Sequence, residues 1–443
     1  MRFSSPGFIF SHTGPMCFAS SASSVLSVLA LGCSPILDHF LQFLSPDVHY
    51  SQGPLGKLPI NGDIANTTIG FVQACIDIAQ RDWDAYERSW DFQRLPLLPV
   101  TTPDGSACPS LEASYSAWLA GNRRTIAEMK RLEEENNRLF IDAYGLADEL
   151  TPDVPIDQIT LTVNPAYRYG VSLTDDQWSV EHGFGDELEA RFRTDTCEEL
   201  ISYAVGCMMG RYSLDEPGLV YAHAGNEGFD PSRYRSFPAD DDGIIPVTDF
   251  AWFDDDACNR LVQFLSVAWP ADRLEENLAF LAAGLGPKKG EPPRETIRRY
   301  LAGGFYKQHL QAYKNRPIYW LFSSGKKGAF QCLVYLHRYH EGTLSRMRTQ
   351  YVVPLLGKLS GRIGMLADTI AKASSTSVAK KAQKEKDALA KQQAELQAFD
   401  EQLNHYASLR ISLDLDDGVK VNYAKFGTLL ADVKKVSGTS GDD

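Results

Sequence analysis

Two apolar runs, RPIYWLF (316–322) and AFQCLVYL (329–336), flank the short polar stretch SSGKKG at 323–328. Aromatic and β-branched residues on either side of a glycine-containing turn predict a β-hairpin, with Lys326 and Lys327 at its tip. The charge around this hairpin is lopsided. Residues 288–362 hold fifteen Lys/Arg against three acids, a net of +12, whereas residues 1–287 carry −24. The overall charge of −13 hides that split. Within the basic block, Arg316, Tyr319, Trp320, Lys326, Lys327, Arg338, Arg346 and Arg348 lie close together in sequence. A phosphate backbone calls for clustered cations with few acids beside them, and arginine forks also read guanine edges in the major groove. Double-stranded DNA is therefore the expected partner, and these eight residues are the expected contacts. A solvated face, or pairing within the chain with the acidic first 287 residues, remains the alternative.

A chain of 443 residues exceeds one ordinary core and suggests roughly two to three domains. Residues 63–155 read as a helical connector. It has a helix over 64–90, a proline-rich break over 96–109, and a long helix over 111–144 that Pro152 and Pro155 bring to an end. Residues 156–285 mix strand patterns (159–163, 219–222) with helical ones (197–209, 254–269) and read as a small α/β unit. The basic region 286–357 opens with a helix over 296–313. Helical arms follow over 358–410, where Leu389, Leu396 and Leu403 recur at heptad spacing and 372–391 reads as an exposed joint. A tail covers 411–443. The expected class is a multidomain α+β protein: mixed α/β recognition modules, a basic hairpin region and a C-terminal coiled-coil-like helical hairpin.

The stretch ITLTVNPAYRYG at 159–170 raises the question of an active site. Enzymes that methylate an exocyclic amine of DNA carry Asn or Asp, two prolines and an aromatic on a loop leaving a strand, to hold a flipped base. Here the second proline is Ala166, and no glycine-rich cofactor turn follows an earlier strand. The pairs Gly183/Gly185 and Gly225/Gly228 do not have the required setting. Asn164 is read as a structural turn residue. His337 and His340 lie three apart in a basic neighbourhood that repels a cation. The acid triplets 240–242 and 254–256 fit a turn and a helix start. No metal is expected.

The eight cysteines contain no Cys-x-x-Cys pair, so neither a zinc knuckle nor a disulfide framework is indicated. Ala30-Leu31-Gly32-Cys33 imitates a lipoprotein cleavage site, but the apolar pattern continues beyond the cysteine at helical spacing. The expected location is cytoplasmic, with no membrane partner.

The segments 316–352, 137–161, 191–222 and 414–426 closely resemble the C-terminal portion of the PglX family, the adenine-specific DNA methyltransferases of BREX phage-exclusion systems. In addition, GFIFSHTGPMCF (7–18) and LSPDVHYSQGPLGKLPI (44–60) look like the closing half of a target-recognition module of restriction–modification specificity subunits, giving a first segment over 1–62. The resemblance implies S-adenosylmethionine as methyl donor and adenine N6 within an asymmetric DNA site as acceptor. It also places the catalytic domain N-terminal to the residues seen here, so it assigns no catalytic or cofactor residue to 1–443. The chain is then either a fragment or works with a separate methyltransferase polypeptide, alongside other phage-exclusion proteins. A non-catalytic scaffold that binds those proteins is the rival expectation.

Overall fold

Proline and glycine set the limits of the N-terminal helices in the computed structural model, which describes residues 16–19, 21–44, 52–60, 62–99, 109–174 and 177–438. The 7–15 and 45–51 parts of the expected recognition module lie outside the described residues. The chain is mostly helical with a three-stranded antiparallel sheet, an α+β protein. It divides into two units, Met1–Phe92 with Tyr115–Phe192 and Gln93–Ser114 with Arg193–Asp443.

In the first unit the helix expected over 23–44 is two helices, Ala22–Gly32 and Pro35–Leu44, bent by 76°. Pro35 cannot donate to the preceding turn and starts a new helix instead. Leu26, Ala30, Leu31 and Ile36 pack on Val72, Phe140 and Ile141. The long helix runs Leu111–Tyr144 as expected, yet it stops before the prolines. Gly145 takes φ +67°, Leu146 N–H reaches Ile141 O (3.0 Å) and Gly145 N–H reaches Asp142 O (3.1 Å), a Schellman ending that only a left-handed residue closes cheaply.

The alternating segment 159–163 is not a strand, which corrects the sequence reading. Ile159, Leu161 and Val163 do point into the core, beside Ile78, Ile126 and Leu132, but their backbone has no strand partner. Side chains satisfy it instead. The Asp82 carboxylate accepts the N–H groups of Thr162 (2.6 Å) and Val163 (3.0 Å). Asn164 is fully buried; its Nδ2 donates to the carbonyls of Ile156 (2.8 Å) and Ile159 (2.9 Å), and its Oδ1 caps the short helix Pro165–Tyr169 through Ala166 N–H (3.1 Å). A side chain committed to three backbone partners holds a turn. Asn164→Ala is therefore expected to cost about 2–4 kcal/mol, from the lost cap and two orphaned carbonyls, read as a lower denaturation midpoint of the whole chain.

In the second unit the strands are β1 (Ile244–Pro246), β2 (Tyr319–Ser323) and β3 (Gln331–Tyr335), in the order β1-β3-β2. Leu333 faces Ile245 on one side and Leu321 on the other. The 219–222 segment is not a strand: Val220 N–H bonds to Arg211 O (2.9 Å), and Tyr221 O takes the Tyr335 hydroxyl (2.9 Å). The free edge of β2 is covered by the C-terminal segment, where Ala431 N–H reaches Leu321 O (2.9 Å) and Phe322 bridges to Leu430. The helix expected over 296–313 breaks at Gly304 into Pro293–Gly303 and Phe305–Ala312. A Cβ at Gly304 would lie 2.8 Å from the Tyr300 ring, so close packing requires glycine there. The arms are Val353–Ala371 and Thr376–Ser408. Their joint is shorter than expected, because Ser375 caps the second arm through Val378 N–H (3.3 Å).

His309 fixes the start of β2. Its Nε2 accepts the N–H groups of Ile318 (3.1 Å) and Tyr319 (3.2 Å), which only the neutral ring can do. Burial, reinforced by the charge of Arg211, pushes its pKa down to about 3, against ~6.5 for an unfolded histidine. The unfolded chain therefore takes up this proton first as pH falls. The stability contribution is intact above about pH 6.5 and shrinks towards pH 3, by up to about 1.4 kcal/mol per pH unit. Urea titrations across that range are expected to show a shallower loss in His309→Gln than in the wild-type chain.

Candidate nucleic-acid interface

Both faces of β2 are covered, and that decides which residues of the basic block reach solvent. Tyr319 and Trp320 are 0% and 1% exposed. The Trp320 ring meets Tyr423 and Phe426 edge-on at centroid distances of 5.2 and 5.6 Å, and its Nε1 donates to Pro317 O (3.1 Å). Arg338 is 1% exposed. Its guanidinium lies 3.7 Å from the Phe229 ring centroid, and donates to Asn226 Oδ1 (3.0 Å), Asp241 O (2.9 Å) and Asp240 O. These three are corrected from expected DNA contacts to core groups, since strand burial and backbone bonding use up their surfaces. Arg348 is half-buried, with a two-pronged grip on Asp400 at 2.8 and 3.0 Å. That leaves Arg316, Lys326, Lys327 and Arg346, all exposed and without an acidic partner among the described residues.

The wider block divides the same way. Arg294, Arg298, Arg299 and Arg362 pair with Glu275, Asp256, Glu291 and Glu385. Acids outside the block, paired with Arg294, Arg298, Arg348 and Arg362, thus offset four of the twelve net charges. Exposed cations remain at Lys288, Lys289, Lys307 and Lys314.

The hairpin tip is built on an anchor that sequence reading missed. Glu395, on the second arm, accepts from Lys327 N–H (2.7 Å), Ala329 N–H (3.2 Å) and the Ser324 hydroxyl (2.9 Å). Gln392, one turn earlier, donates to Lys327 O (3.1 Å). Gly325 has φ +133°, and a Cβ there would come 2.9 Å from the Glu395 carboxylate. The loop backbone is thus pulled onto the arm, while the Lys326 and Lys327 side chains remain exposed. No local pattern signals this, because the acid lies about seventy residues from the loop it holds. Glu395→Ala is expected to speed amide hydrogen exchange at Lys327 and Ala329 at least tenfold, corresponding to the ~1.5–3 kcal/mol of hydrogen bonds to a charged acceptor. Peptide-resolved exchange measures it.

The acid triplets serve the backbone. Asp240 accepts from the N–H groups of Asp242 (3.1 Å) and Gly243 (2.8 Å), and burial, with Asp242 beside it, raises its pKa to about 7. Asp256 caps the helix Ala257–Ala268 and binds Arg298. Among the described residues no group of three His, Cys, Asp or Glu could hold a metal ion. At Gly183 the position of a Cβ is filled by the paired side chains of Glu189 and Arg123, so that glycine serves close packing.

The chain matches no family model. It is 42% identical over 452 aligned residues to the adenine-specific methyltransferase BrxX of Escherichia coli O9:H4 (strain HS), an alignment covering 99% of this chain and 36% of the relative. It is 34% identical over 427 residues to the adenine-specific methyltransferase PglX of Lacticaseibacillus casei (strain Zhang), covering 96% of this chain and 33% of the relative. The chain is thus homologous, over nearly its whole length, to a segment of adenine-specific methyltransferases. It spans about a third of the length of these curated relatives.

Proposed function

We propose that this chain is the DNA-recognition and C-terminal part of an adenine-N6, site-specific DNA methyltransferase of a BREX phage-exclusion system. Methyl transfer from S-adenosylmethionine belongs, in this reading, to a catalytic domain outside residues 1–443. The observation that carries it is the clamped hairpin tip: two adjacent lysines, exposed and without a salt-bridge partner among the described residues, on a loop held by Glu395. Homology to two adenine-specific methyltransferases supports it. Lys326 and Lys327 neutralise phosphates, with Arg316 and Arg346 extending the contact. Phosphate contacts of this kind fix register and orientation on the duplex, so that the target adenine can be presented to the catalytic domain for flipping.

A second reading rests on the arms, where Met365 and Val378 are large, apolar and exposed. They suit contact with another protein of the defence system, with DNA binding incidental. Salt separates the two. Each phosphate neutralised adds about −0.9 to the slope of log affinity against log salt. Lys326→Glu with Lys327→Glu is expected to weaken duplex binding at least tenfold at moderate salt and to flatten that slope by about two. Fluorescence anisotropy on a labelled duplex measures both, and an unchanged slope would remove the hairpin from the interface.

A further inference from the structure

Outside the basic block, one arginine is held in an unusual way. The helix Asp186–Met208 ends in a Schellman motif: Gly210 takes φ +75°, with Gly210 N–H on Cys207 O (3.1 Å) and Arg211 N–H on Gly206 O (2.9 Å). Arg211 therefore leaves the helix at a fixed angle. The Tyr212 ring beside it lies so close to the helix that a Cβ at Gly206 would sit 2.5 Å away. The half-buried Arg211 guanidinium lies 5.2 Å from the Tyr212 ring centroid. Its Nε donates to the Tyr212 hydroxyl (3.0 Å) and its Nη1 to the Tyr335 hydroxyl (3.4 Å).

No carboxylate pairs with it, and its Nη2 makes no hydrogen bond among the described residues. The contrast with its neighbours is chemical: Arg298 and Arg348 hold carboxylates, and Arg338 holds two carbonyls and an amide oxygen. The helix end offers only about half a negative charge, so about half of the positive charge goes unanswered. Nearby rings register it: the charge of Arg211 adds to burial in lowering the pKa of His337 to about 4. His337 Nδ1 is itself buried with no partner.

A second feature is linked to it through packed rings: centroid distances are 4.6 Å for Tyr313 to His309, 4.9 Å for His309 to Tyr319 and 5.6 Å for Tyr319 to Tyr335. Tyr313 begins a turn in which Lys314 (φ +50°) and Asn315 (φ +58°) are both left-handed. The turn closes the helix Phe305–Ala312, with Asn315 N–H on Leu310 O (2.7 Å) and Lys314 N–H on Gln311 O (3.2 Å), and it does so with two non-glycine residues in a region they seldom adopt. The turn places Arg316 three residues before β2, and both Lys314 and Arg316 are exposed without an acidic partner among the described residues.

We propose that Arg211 is a phosphate-binding group, and that its half-buried guanidinium, seated on Tyr212 and Tyr335, grips a phosphodiester of the bound duplex. The proposal rests on the DNA reading above and adds to it a contact from outside the basic block. An unsatisfied guanidinium fork matches two phosphate oxygens, and tyrosine hydroxyls fix the fork without neutralising it.

The test uses the full chain and a short labelled duplex. Arg211→Gln is expected to weaken binding three- to tenfold and to flatten the salt slope by about one, whereas Arg211→Lys keeps the slope while losing part of the affinity. In the wild-type chain, duplex is expected to protect Arg211 from phenylglyoxal, read by peptide mass spectrometry; this needs no variant that must fold. Equal Arg211 labelling with and without duplex overturns the proposal, as does an Arg211→Gln chain with wild-type melting, affinity and slope. If the hairpin reversal abolishes binding while Arg211 proves indifferent, the DNA reading stands and this site falls. If the wild-type chain binds no duplex at all, both fall.

Discussion

The burial of the first four of the five residues of β2 is the constraint on which the second unit depends. Tyr319, Trp320, Leu321 and Phe322 are consecutive, so their side chains point to alternate faces, and all four are buried. A strand covered on both faces needs material on both sides and at its edge. The chain supplies it with β3, His309, the Tyr423 and Phe426 rings and the segment that bridges at Leu430. No cation can be carried on such a strand. The charged residues of the hairpin are consequently confined to its ends, Arg316 before β2 and Lys326 and Lys327 at the turn.

A net charge counted along the chain is therefore a poor measure of the charge offered to a ligand. Arg298 illustrates the difference. It is nearly buried and faces the fully buried Asp256 at 2.6 Å; such a pair contributes little net stability, but removing one partner strands the other. Its charge contributes almost nothing to a field outside the protein. Arg211 shows the converse, lying in the strongly acidic part of the sequence yet pairing with no acid among the described residues. Segment composition points towards Arg298 and away from Arg211, and in both cases the local partners decide.

Features carried by local chemistry were legible in the sequence. The helix Leu111–Tyr144 follows from its apolar face, the hairpin from its turn, and the turn at Asn164 from an Asn-Pro pair lacking the setting of a catalytic loop. The failures share one cause, which is that alternation reports which way side chains point and not what the backbone bonds to. The 159–163 segment alternates like a strand while Asp82, about eighty residues earlier, takes its N–H groups. β1 is three residues long and exists because β3 offers it an edge. The anchors Asp82, Glu395 and Asp400 are ordinary acids on helices, and only the packing brings them to their loops.

The second arm links these observations. Gln392 and Glu395 hold the hairpin tip, and Asp400, little more than a turn further along the same helix, holds Arg348. Leu396, Phe399 and Leu403 bury the arm between those contacts. A lysine on a free loop would lose backbone freedom on binding a phosphate, on top of the immobilisation of its own side chain. On a loop already bonded at Ser324, Lys327 and Ala329, the backbone part of that cost is met during folding. In the proposed DNA reading the arm acts on the tip through preorganisation: its acids hold the loop backbone, and the more firmly they do so, the more of each lysine's attraction to a phosphate would survive as affinity.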